Sequence, residues 1–382
     1  MKINYSKQNI IKKDINSVIK VLKSNFLTQG PNIQLFENKI KKIVGVKYAY
    51  ATNSATSGLH VACMSIGITK NDVVWTSPNS FVASSNCALY CGAKIDFVDI
   101  DLKTYNLCSK KLEDKLKITK KENLPKAIVL VHFAGYTKDL EKIKKLSIKY
   151  RFKIIEDASH ALGAKYKGGY IGNCKFSDVC VFSFHPVKSI TTGEGGMITT
   201  NSKKISSKSK LFRNHGINKD KRFLLDKTKK INHYEQLELG FNYRMNDLEA
   251  ALGISQLNRL KKFINKRNDI AKYYDNELAN LPIQKPVFTK NSSWHLYVIL
   301  LRNKDVRQKL FNFLKRKNIN CQIHYIPIHT HPFYKKIGFK KNDFPNSVEY
   351  YEKCLSLPIF FDLKHSMQKK IVKLIRKFFL NV

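Results

Sequence analysis

The first part of the chain alternates short apolar runs with longer runs in which apolar and polar residues recur with a helical period. Five short runs predict strands: DVVWTSPNS at 72–80, KIDFVDI at 94–100, KAIVLVHF at 126–133, FKIIEDAS at 152–159 and DVCVFSFH at 178–185. Most are too uniformly apolar to have one face in water. Between them, TSGLHVACMSIG, FVASSNCALYCG and LEKIKKLSIKYR predict helices. This order predicts an α/β fold with a mainly parallel sheet covered on both faces.

The pattern changes near residue 245. A long helical stretch at 245–280 is followed by a strand at 294–301, a helix at 306–319, a strand at 321–328 and a last helix at 366–380. The chain therefore predicts a large α/β domain over residues 1–250 and a smaller α+β domain over 251–382. The polar, basic segment at 215–238 is interpreted as a mobile loop.

The composition indicates the cellular location of the protein and the state of its cysteines. No window of about 18 apolar residues predicts a membrane span, and the amino-terminal MKINYSKQNI has no apolar centre of a secretory signal. We therefore expect a cytoplasmic protein. The eight cysteines are scattered without a CxxC pair, which favours reduced, mostly buried thiols over zinc ligands or a disulfide framework, and no metal site is expected.

The charge raises the question of a nucleic-acid partner. Lys and Arg number 69 against 29 Asp and Glu, for a formal net charge of +40. The lysines are spread along the whole chain, and no zinc finger, basic zipper or RNP-like aromatic stretch accompanies them. We therefore expect no nucleic acid as the main partner, and a basic site for an anionic small molecule fits the charge equally well.

Candidate chemistry lies where strands end, because open parallel sheets bind ligands beyond the carboxyl ends of their strands. In IIEDASHALG, Asp157 directly follows an apolar strand and His160 comes three residues later. A helix cap would explain this aspartate as well as a functional role would. The functional interpretation is a carboxylate in a dry site that pairs with a protonated ring nitrogen.

A second strand end precedes a lysine. In SFHPVKSITTGEGG, Ser183 closes the strand and Lys188 follows five residues on, between a proline and a glycine-rich turn. An isolated lysine is usually solvated, but a lysine in a partly desolvated pocket loses its proton readily and can form a Schiff base.

A third candidate is the start of the first predicted helix. Ser54, Ala55 and Thr56 stand where free N–H groups and the positive end of the helix dipole suit a phosphate, although a plain N-cap uses the same residue types. Together, a carboxylate for a pyridinium nitrogen, an amine for an aldehyde and a phosphate-binding helix start are the parts that pyridoxal 5′-phosphate (PLP) requires.

The motifs that carry these residues resemble those of the DegT/DnrJ/EryC1/StrS family of sugar-nucleotide aminotransferases. The resemblance runs over nearly the whole chain and includes LTQGP at 27–31, NSATSGL at 53–59, TSPNSFVASSN at 76–86, EDASHALG at 156–163, SFHPVKSITTGEGG at 183–196, RNHG at 213–216 and GFNYRMNDLEAALG at 240–253. It implies the aspartate aminotransferase architecture, known as fold type I.

The resemblance also implies roles for individual residues. Lys188 would be the Schiff-base lysine and Asp157 would pair with the pyridine nitrogen, while Phe81 would stack on the cofactor ring and His160 would lie beside its phenolic oxygen. The phosphate would be held by Ser54, Ala55, Thr56 and Ser183. Asn242 would reach the phosphate site of the neighbouring subunit, which implies a homodimer. Because Lys188 is not replaced by the histidine of related dehydratases, the resemblance favours amino transfer.

Within the family, INYSKQ, FLTQGP, SHALG and QIHYIPIH most resemble the transaminases of pseudaminic acid biosynthesis. That resemblance implies transfer of an amino group from L-glutamate to C4 of a UDP-linked 4-keto-6-deoxy-N-acetylhexosamine. The positions implied to touch the sugar nucleotide are Tyr5, Asn25, Phe26, Leu27, Thr28, Ile323, His324, Tyr325 and Ile326. A transaminase for a UDP-4-keto-pentose or a GDP-4-keto-6-deoxy-hexose, and a non-catalytic binding protein, are the alternatives.

Overall fold

The computed structural model describes residues 2–219, 224 and 233–380. The helices are α1 (Lys12–Leu22), α2 (Pro31–Val44), α3 (Ala55–Ser65), α4 (Ala83–Tyr90), α5 (Ser109–Ile118), α6 (Leu140–Tyr150), α7 (Lys203–Phe212), α8 (Asp247–Leu257), α9 (Leu260–Glu277), α10 (Lys304–Arg316), α11 (Pro332–Lys336), α12 (Pro345–Lys353) and α13 (His365–Leu380). The strands are β1 (Tyr48–Thr52), β2 (Val73–Thr76), β3 (Lys94–Phe97), β4 (Ala127–Val131), β5 (Lys153–Asp157), β6 (Lys165–Tyr166), β7 (Gly169–Tyr170), β8 (Val179–Ser183), β9 (Gly196–Thr200), β10 (Ile217–Asn218), β11 (Glu235–Gln236), β12 (Tyr297–Leu300) and β13 (Cys354–Leu357).

Seven of these strands form one sheet in the order β1-β9-β8-β5-β4-β2-β3. Pairing is parallel from β3 through β2, β4 and β5 to β8, whereas β9 runs antiparallel to both of its neighbours. The predicted α/β class and mainly parallel sheet are confirmed. The carboxyl ends of β5 and β8 lie side by side, because Asp157 pairs with Val181.

Both faces of the sheet are covered by apolar side chains. Alternate residues of a strand point to opposite faces, so Ile154 and Phe182 belong to one buried cluster while Ile155 and Val181 belong to another. All four side chains are at most 1% exposed. Burial on both faces explains why these strands are continuous apolar runs.

A second, smaller group of elements follows along the chain. Strands β12 and β13 pair antiparallel, and a separate buried cluster contains Tyr274 of α9, Leu310 of α10 and Ile375 of α13. Ile3 belongs to the same cluster, so the amino-terminal segment packs on this later part of the chain. The domain division at residue 250 stays a prediction.

Two predicted elements are wrong in detail. Residues 321–328 form no strand and make only the isolated bridge Gln322 to Ser356, because β13, which was not predicted, pairs with β12. The long helix at 245–280 is two helices, since the chain turns at Arg259, with φ −108° and ψ 2°. Half of the predicted mobile loop at 215–238, namely 220–223 and 225–232, lies outside the described residues. Within the described part of the chain, no helix combines the length and apolarity that a membrane crossing requires.

Candidate active site

The ends of β5 and β8 and the start of α3 meet at a cavity of about 450 Å³. Eleven of the residues singled out in the sequence line it: Tyr5, Ser54, Ala55, Thr56, Phe81, Asp157, His160, Ser183, Lys188, His324 and Tyr325. The sheet contributes the residues at one side of the cavity, and the amino-terminal segment and residues 324–325 contribute those at the other. The three candidate strand and helix ends therefore belong to one site.

The start of α3 forms a pocket for an anion. Ser54 is the N-cap in an extended conformation, and its Oγ accepts the N–H of Ser57 at 3.1 Å. The N–H groups of Ala55 and Thr56, at the start of the first turn, have no acceptor within the helix. Strand β9 passes so close that a Cβ on Gly196 would lie 2.5 Å from the Ser54 carbonyl oxygen. Only glycine lets this strand approach the helix start.

Asp157 is held at both carboxylate oxygens. Ser84 Oγ donates to Oδ2 at 2.5 Å, and Ser159 donates to Oδ1 through its hydroxyl at 2.6 Å and its N–H at 3.1 Å. The Ser84 hydroxyl also bonds that of Ser80 at 2.6 Å. Asp157 is only 5% exposed, and these charge-assisted bonds fix the carboxylate in place.

Lys188 lies on a tight turn after β8. Its N–H donates to the carbonyl of His185 at 2.9 Å, and the turn returns through Gly195, whose φ is +155° and where a Cβ would lie 2.3 Å from Thr192 Oγ1. Burial of the amine lowers the pKa of Lys188 to about 8, Asp157 opposes this shift and Arg267 adds to it. About a tenth of this lysine is therefore unprotonated at pH 7, far more than of a solvated lysine.

His160 is a neutral imidazole in this cavity. Burial lowers its pKa well below 6.5, and the positive charge of Lys188 adds to the effect. Its Nδ1 lies 3.2 Å from the N–H of Ala134, which donates to it. Because a neutral ring that accepts at Nδ1 carries its hydrogen on Nε2, the ring presents a donor on its other side.

Three further rings complete the cavity wall. Tyr325 Oη lies 3.3 Å from His160 Nε2, and the Tyr325 ring is 6.3 Å from that of Phe81. His324 Nδ1 lies 2.9 Å from Ser356 Oγ, and its ring is 5.4 Å from that of Tyr5. Burial, followed by the charge of Lys188, lowers the pKa of His324 to about 3, so this ring too is neutral.

The other predicted contact residues do not line the cavity of the same chain. Asn25, Phe26, Leu27 and Thr28 are exposed, as are Asn242 and Ile326, while Ile323 packs on the buried cluster around Tyr350. The segment after Thr28 is anchored at the start of α8, where Asp247 accepts the N–H groups of Gly30 and Asn32 at 2.7 and 3.0 Å.

His295 is a cavity residue that the sequence did not single out. It is 2% exposed, its ring lies 4.1 Å from that of His160, and its Nδ1 has no hydrogen-bond partner among the described residues. Burial lowers its pKa well below 6.5. His295 precedes strand β12 of the smaller group of elements, whereas the residues predicted from strand ends belong to the large sheet. Other lining residues that were missed are Ser80, Ser159, His185 and Glu194.

The residues present fit PLP. A fixed carboxylate, a partly unprotonated lysine and the open N–H groups at the start of α3 suit its ring nitrogen, aldehyde and phosphate. The close approach of Gly196 to Ser54 leaves the helix start uncovered by any side chain at that position. Phe81, 60% exposed at the cavity, offers an apolar face to a planar ring.

Comparison with known proteins agrees with this chemistry. Residues 8–376 match the model of the DegT/DnrJ/EryC1/StrS aminotransferase family. An uncharacterised protein of Methanocaldococcus jannaschii is 42% identical over 91% of this chain and 90% of its own length. The UDP-4-amino-4,6-dideoxy-N-acetyl-beta-L-altrosamine transaminase of Campylobacter jejuni is 41% identical, with 93% and 92% of the two chains covered.

A solved structure shares the whole architecture. PseC of Helicobacter pylori, an aminotransferase involved in the biosynthesis of pseudoaminic acid, superposes with a TM-score of 0.91 at 32% identity, and each chain is covered completely. The family match, the similar proteins and the residues of the cavity therefore indicate the same kind of enzyme. The chain belongs to the DegT/DnrJ/EryC1/StrS family and is a PLP-dependent sugar aminotransferase.

Proposed function

We propose that this enzyme moves the amino group of L-glutamate to C4 of a UDP-linked 4-keto-6-deoxy-N-acetylhexosamine, which forms UDP-4-amino-4,6-dideoxy-N-acetyl-β-L-altrosamine for pseudaminic acid biosynthesis. The observation that carries the reaction type is the convergence of Lys188, Asp157 and the start of α3 on one cavity. The observation that supports the substrate is the 41% identity to the Campylobacter jejuni transaminase over 93% of the chain.

Seven residues of this chain would bind and orient the cofactor. Ser54, Ala55, Thr56 and Ser183 hold its phosphate, and the carboxylate of Asp157 keeps a proton on its ring nitrogen. Phe81 would stack on the ring, and His160 would lie beside its phenolic oxygen. When bound, PLP supplies an electron sink for the charge that develops when a C–H bond is broken.

Lys188 moves the protons of both half-reactions. Its Nζ accepts the proton from the α-carbon of glutamate in the first half-reaction and delivers a proton to C4 of the sugar in the second. The burial that lowers its pKa to about 8 makes this exchange effective near neutral pH. Asp157 lies close enough to oppose this lowering, so the two groups balance each other's charge.

The wall opposite the sheet selects the sugar nucleotide. Tyr5, His324 and Tyr325 line the cavity there, and their neutral rings contact a sugar without adding charge. The formal net charge of +40 attracts a substrate that carries a diphosphate. The exposed residues Asn25, Phe26, Leu27, Thr28 and Ile326, and the half-buried Ile323, complete the nucleotide contacts in this proposal.

The same proposal makes the enzyme a homodimer with shared sites. Asn242 is exposed and does not line the cavity of its own chain, so it would act at the phosphate of a partner subunit. Mixing two inactive variants, Lys188→Ala and Asn242→Ala, tests this idea. Hybrid dimers should contain one site with neither change and regain activity; a mixture that stays inactive although hybrids form would contradict the shared site.

Visible absorbance of the cofactor-loaded protein tests the whole proposal. Glutamate should convert the bound cofactor to its amine form and bleach the visible band, and the UDP-4-keto-6-deoxy-N-acetylhexosamine should restore it. Bleaching by glutamate with recovery only on a UDP-4-keto-pentose or a GDP-4-keto-6-deoxy-hexose would reject the proposed substrate. A protein that never gains colour with PLP would support a non-catalytic binding protein.

A further inference from the structure

Helix α9 buries a guanidinium group beside the proposed catalytic lysine. Arg267 is 3% exposed, and its Nη1 donates to the main-chain carbonyl oxygens of Trp294, His295 and Ile359 at 3.2, 3.2 and 3.1 Å. No carboxylate forms an ion pair with it among residues 2–219, 224 and 233–380. Burial lowers the pKa of Arg267 only to about 10, so the group stays charged at pH 7.

A buried cation without a carboxylate is costly, and two other partly buried arginines of this protein have carboxylate partners. Arg259, which lies two turns earlier just before α9, pairs with Asp14 at 2.5 Å, and Arg213 pairs with Glu37 at 2.5 Å. At Arg267, three carbonyl dipoles replace the counter-ion. They compensate the guanidinium only in part, so a positive potential extends to its neighbours.

Lys188 is one of those neighbours. It lines two cavities: the wide one that also contains Asp157, and a narrow one behind it that also contains Arg267. Lys188 is therefore near both a carboxylate and a guanidinium, and the two charges act on its amine in opposite directions. The carbonyl of His295 accepts from this guanidinium, and the ring of His295 lies against His160.

We infer that Arg267 is a positioning residue for amino transfer: its buried charge adds to the effect of burial in favouring the unprotonated form of Lys188, and its carbonyl contacts fix His295 against His160. This inference rests on the proposed role of Lys188. Because a nearby positive charge opposes protonation of an amine, removing the guanidinium must favour the protonated lysine. The contacts with Trp294, His295 and Ile359 also tie α9 to the loops before β12 and after β13.

Other charged or titratable groups around Lys188 do not supply this effect. Asp157 acts in the opposite direction, and the rings of His160, His295 and His324 are neutral because burial lowers the pKa of each. The remaining groups that line the two cavities are Tyr5, Lys7, His185, Glu194 and Tyr325. Lys7, His185 and Glu194 are exposed, so water screens them.

The test measures protonation of Lys188 in the cofactor-free protein, where neither substrate nor turnover enters the result. Trace labelling with acetic anhydride from pH 6 to 10.5, read by peptide mass spectrometry, gives the labelling midpoint of each lysine. Arg267→Gln should move the Lys188 midpoint upward and lower its labelling rate at pH 7 about threefold or more. Arg267→Lys, which restores a cation, should return the midpoint toward that of the unchanged protein.

Arg307→Gln is the matched control. Arg307 is 5% exposed on α10 and donates to the carbonyl of Glu352 at 3.3 Å, but it lines neither cavity. It should leave the Lys188 midpoint unchanged. An unchanged midpoint in folded Arg267→Gln protein would overturn the inference.

Two further outcomes keep the test decisive. If Arg267→Gln does not fold, the unchanged protein still decides, because a Lys188 midpoint equal to that of exposed Lys309 would contradict a buried cation beside the amine. Failure of the proposed function is a separate result. It would appear as turnover by Lys188→Ala, whatever the labelling midpoints show.

Discussion

The two sides of the cavity differ in how the fold holds them. One side, the floor, consists of Ser54, Asp157, Ser183 and Lys188, which are the last residues of strands of the seven-stranded sheet or come within five residues after one. The other side, the rim, consists of Tyr5, His295, His324 and Tyr325, which come from three distant segments. Floor residues are placed by strand register, whereas rim residues are placed by packing between segments.

The electrostatics of the two sides differ in the same way. The floor holds the Asp157 carboxylate and an amine whose pKa is lowered to about 8, and hydrogen bonds fix the carboxylate from Ser84 and Ser159. The rim consists of imidazoles and phenols that burial keeps neutral. In the proposed function the floor supplies the proton chemistry and the rim the surface that contacts the substrate, so damage to the floor should cost more activity.

Lys188→Ala removes the proposed proton carrier of the floor and should have the largest effect on turnover. Turnover should fall more than about 10³-fold, because no other amine of the cavity can accept the substrate proton. Steady-state kinetics with glutamate and the UDP-4-keto sugar measure the loss. Lys309→Ala, which removes an exposed lysine of α10, serves as the control and should be near normal. Substantial turnover by Lys188→Ala would remove the lysine from the mechanism.

Asp157→Asn keeps the shape of the floor but removes its negative charge. We expect a loss of about 10²-fold in kcat, because the protonated ring nitrogen of the cofactor loses its counter-charge and the amide cannot accept from both serines. The same kinetic assay measures this loss, with Asp275→Asn as a control at a half-buried ion pair with Lys285 outside the cavity. Nearly normal kcat in Asp157→Asn would place the charge partner of the cofactor elsewhere.

Sequence patterns predicted the strands that are uniformly apolar and missed those that hide polar residues. Strand β9 reads GMITT, and its Thr199 and Thr200 look solvated although both are 0% exposed. Their hydroxyls donate to the carbonyls of Gly172 and Asp178 at 2.8 and 2.7 Å. Burial of a threonine depends on such distant acceptors, which no local pattern contains.

The converse error occurred at 321–328, which is apolar enough to predict a strand. Strand β13 (Cys354–Leu357), and not this segment, pairs with β12. His324 of the segment is hydrogen-bonded to Ser356 of β13. Competition between two apolar segments for one edge is a tertiary effect, so the local pattern cannot decide it.

The floor could be predicted because each of its residues stands near the end of a recognisable element. His295 could not, since its position depends on residues far along the chain: Ser293 Oγ donates to the carbonyl of His160 across 133 positions. Arg267 could not be predicted either, because in the sequence it looks like one more basic residue of an amphipathic helix.

The rate at which Lys188 reacts with PLP should depend on pH, and this dependence tests whether the floor lowers the pKa of its amine. The Lys188 amine must be unprotonated to attack the aldehyde, and burial lowers its pKa to about 8. The rate of capture by cofactor-free protein should therefore rise about tenfold per pH unit below pH 8 and level off above it. Stopped-flow absorbance measures this rate, with N-acetyl-lysine methyl ester as a reference that continues to rise. A protein curve that follows the reference would mean that the amine is solvated.

Tyr325→Phe tests the rim and should have the smallest effect. It removes the hydroxyl 3.3 Å from His160 Nε2 but keeps the ring that lies near Phe81 and Phe133. Loss of one hydrogen bond between neutral groups should lower kcat/KM for the sugar nucleotide about threefold and leave the glutamate half-reaction unchanged. Single-turnover absorbance separates the two half-reactions, and Tyr170→Phe, at an exposed position outside the cavity, is the control. A loss as large as that of Asp157→Asn, in both half-reactions, would show that this phenol handles a proton, and the division between a chemical floor and a binding rim would then be wrong.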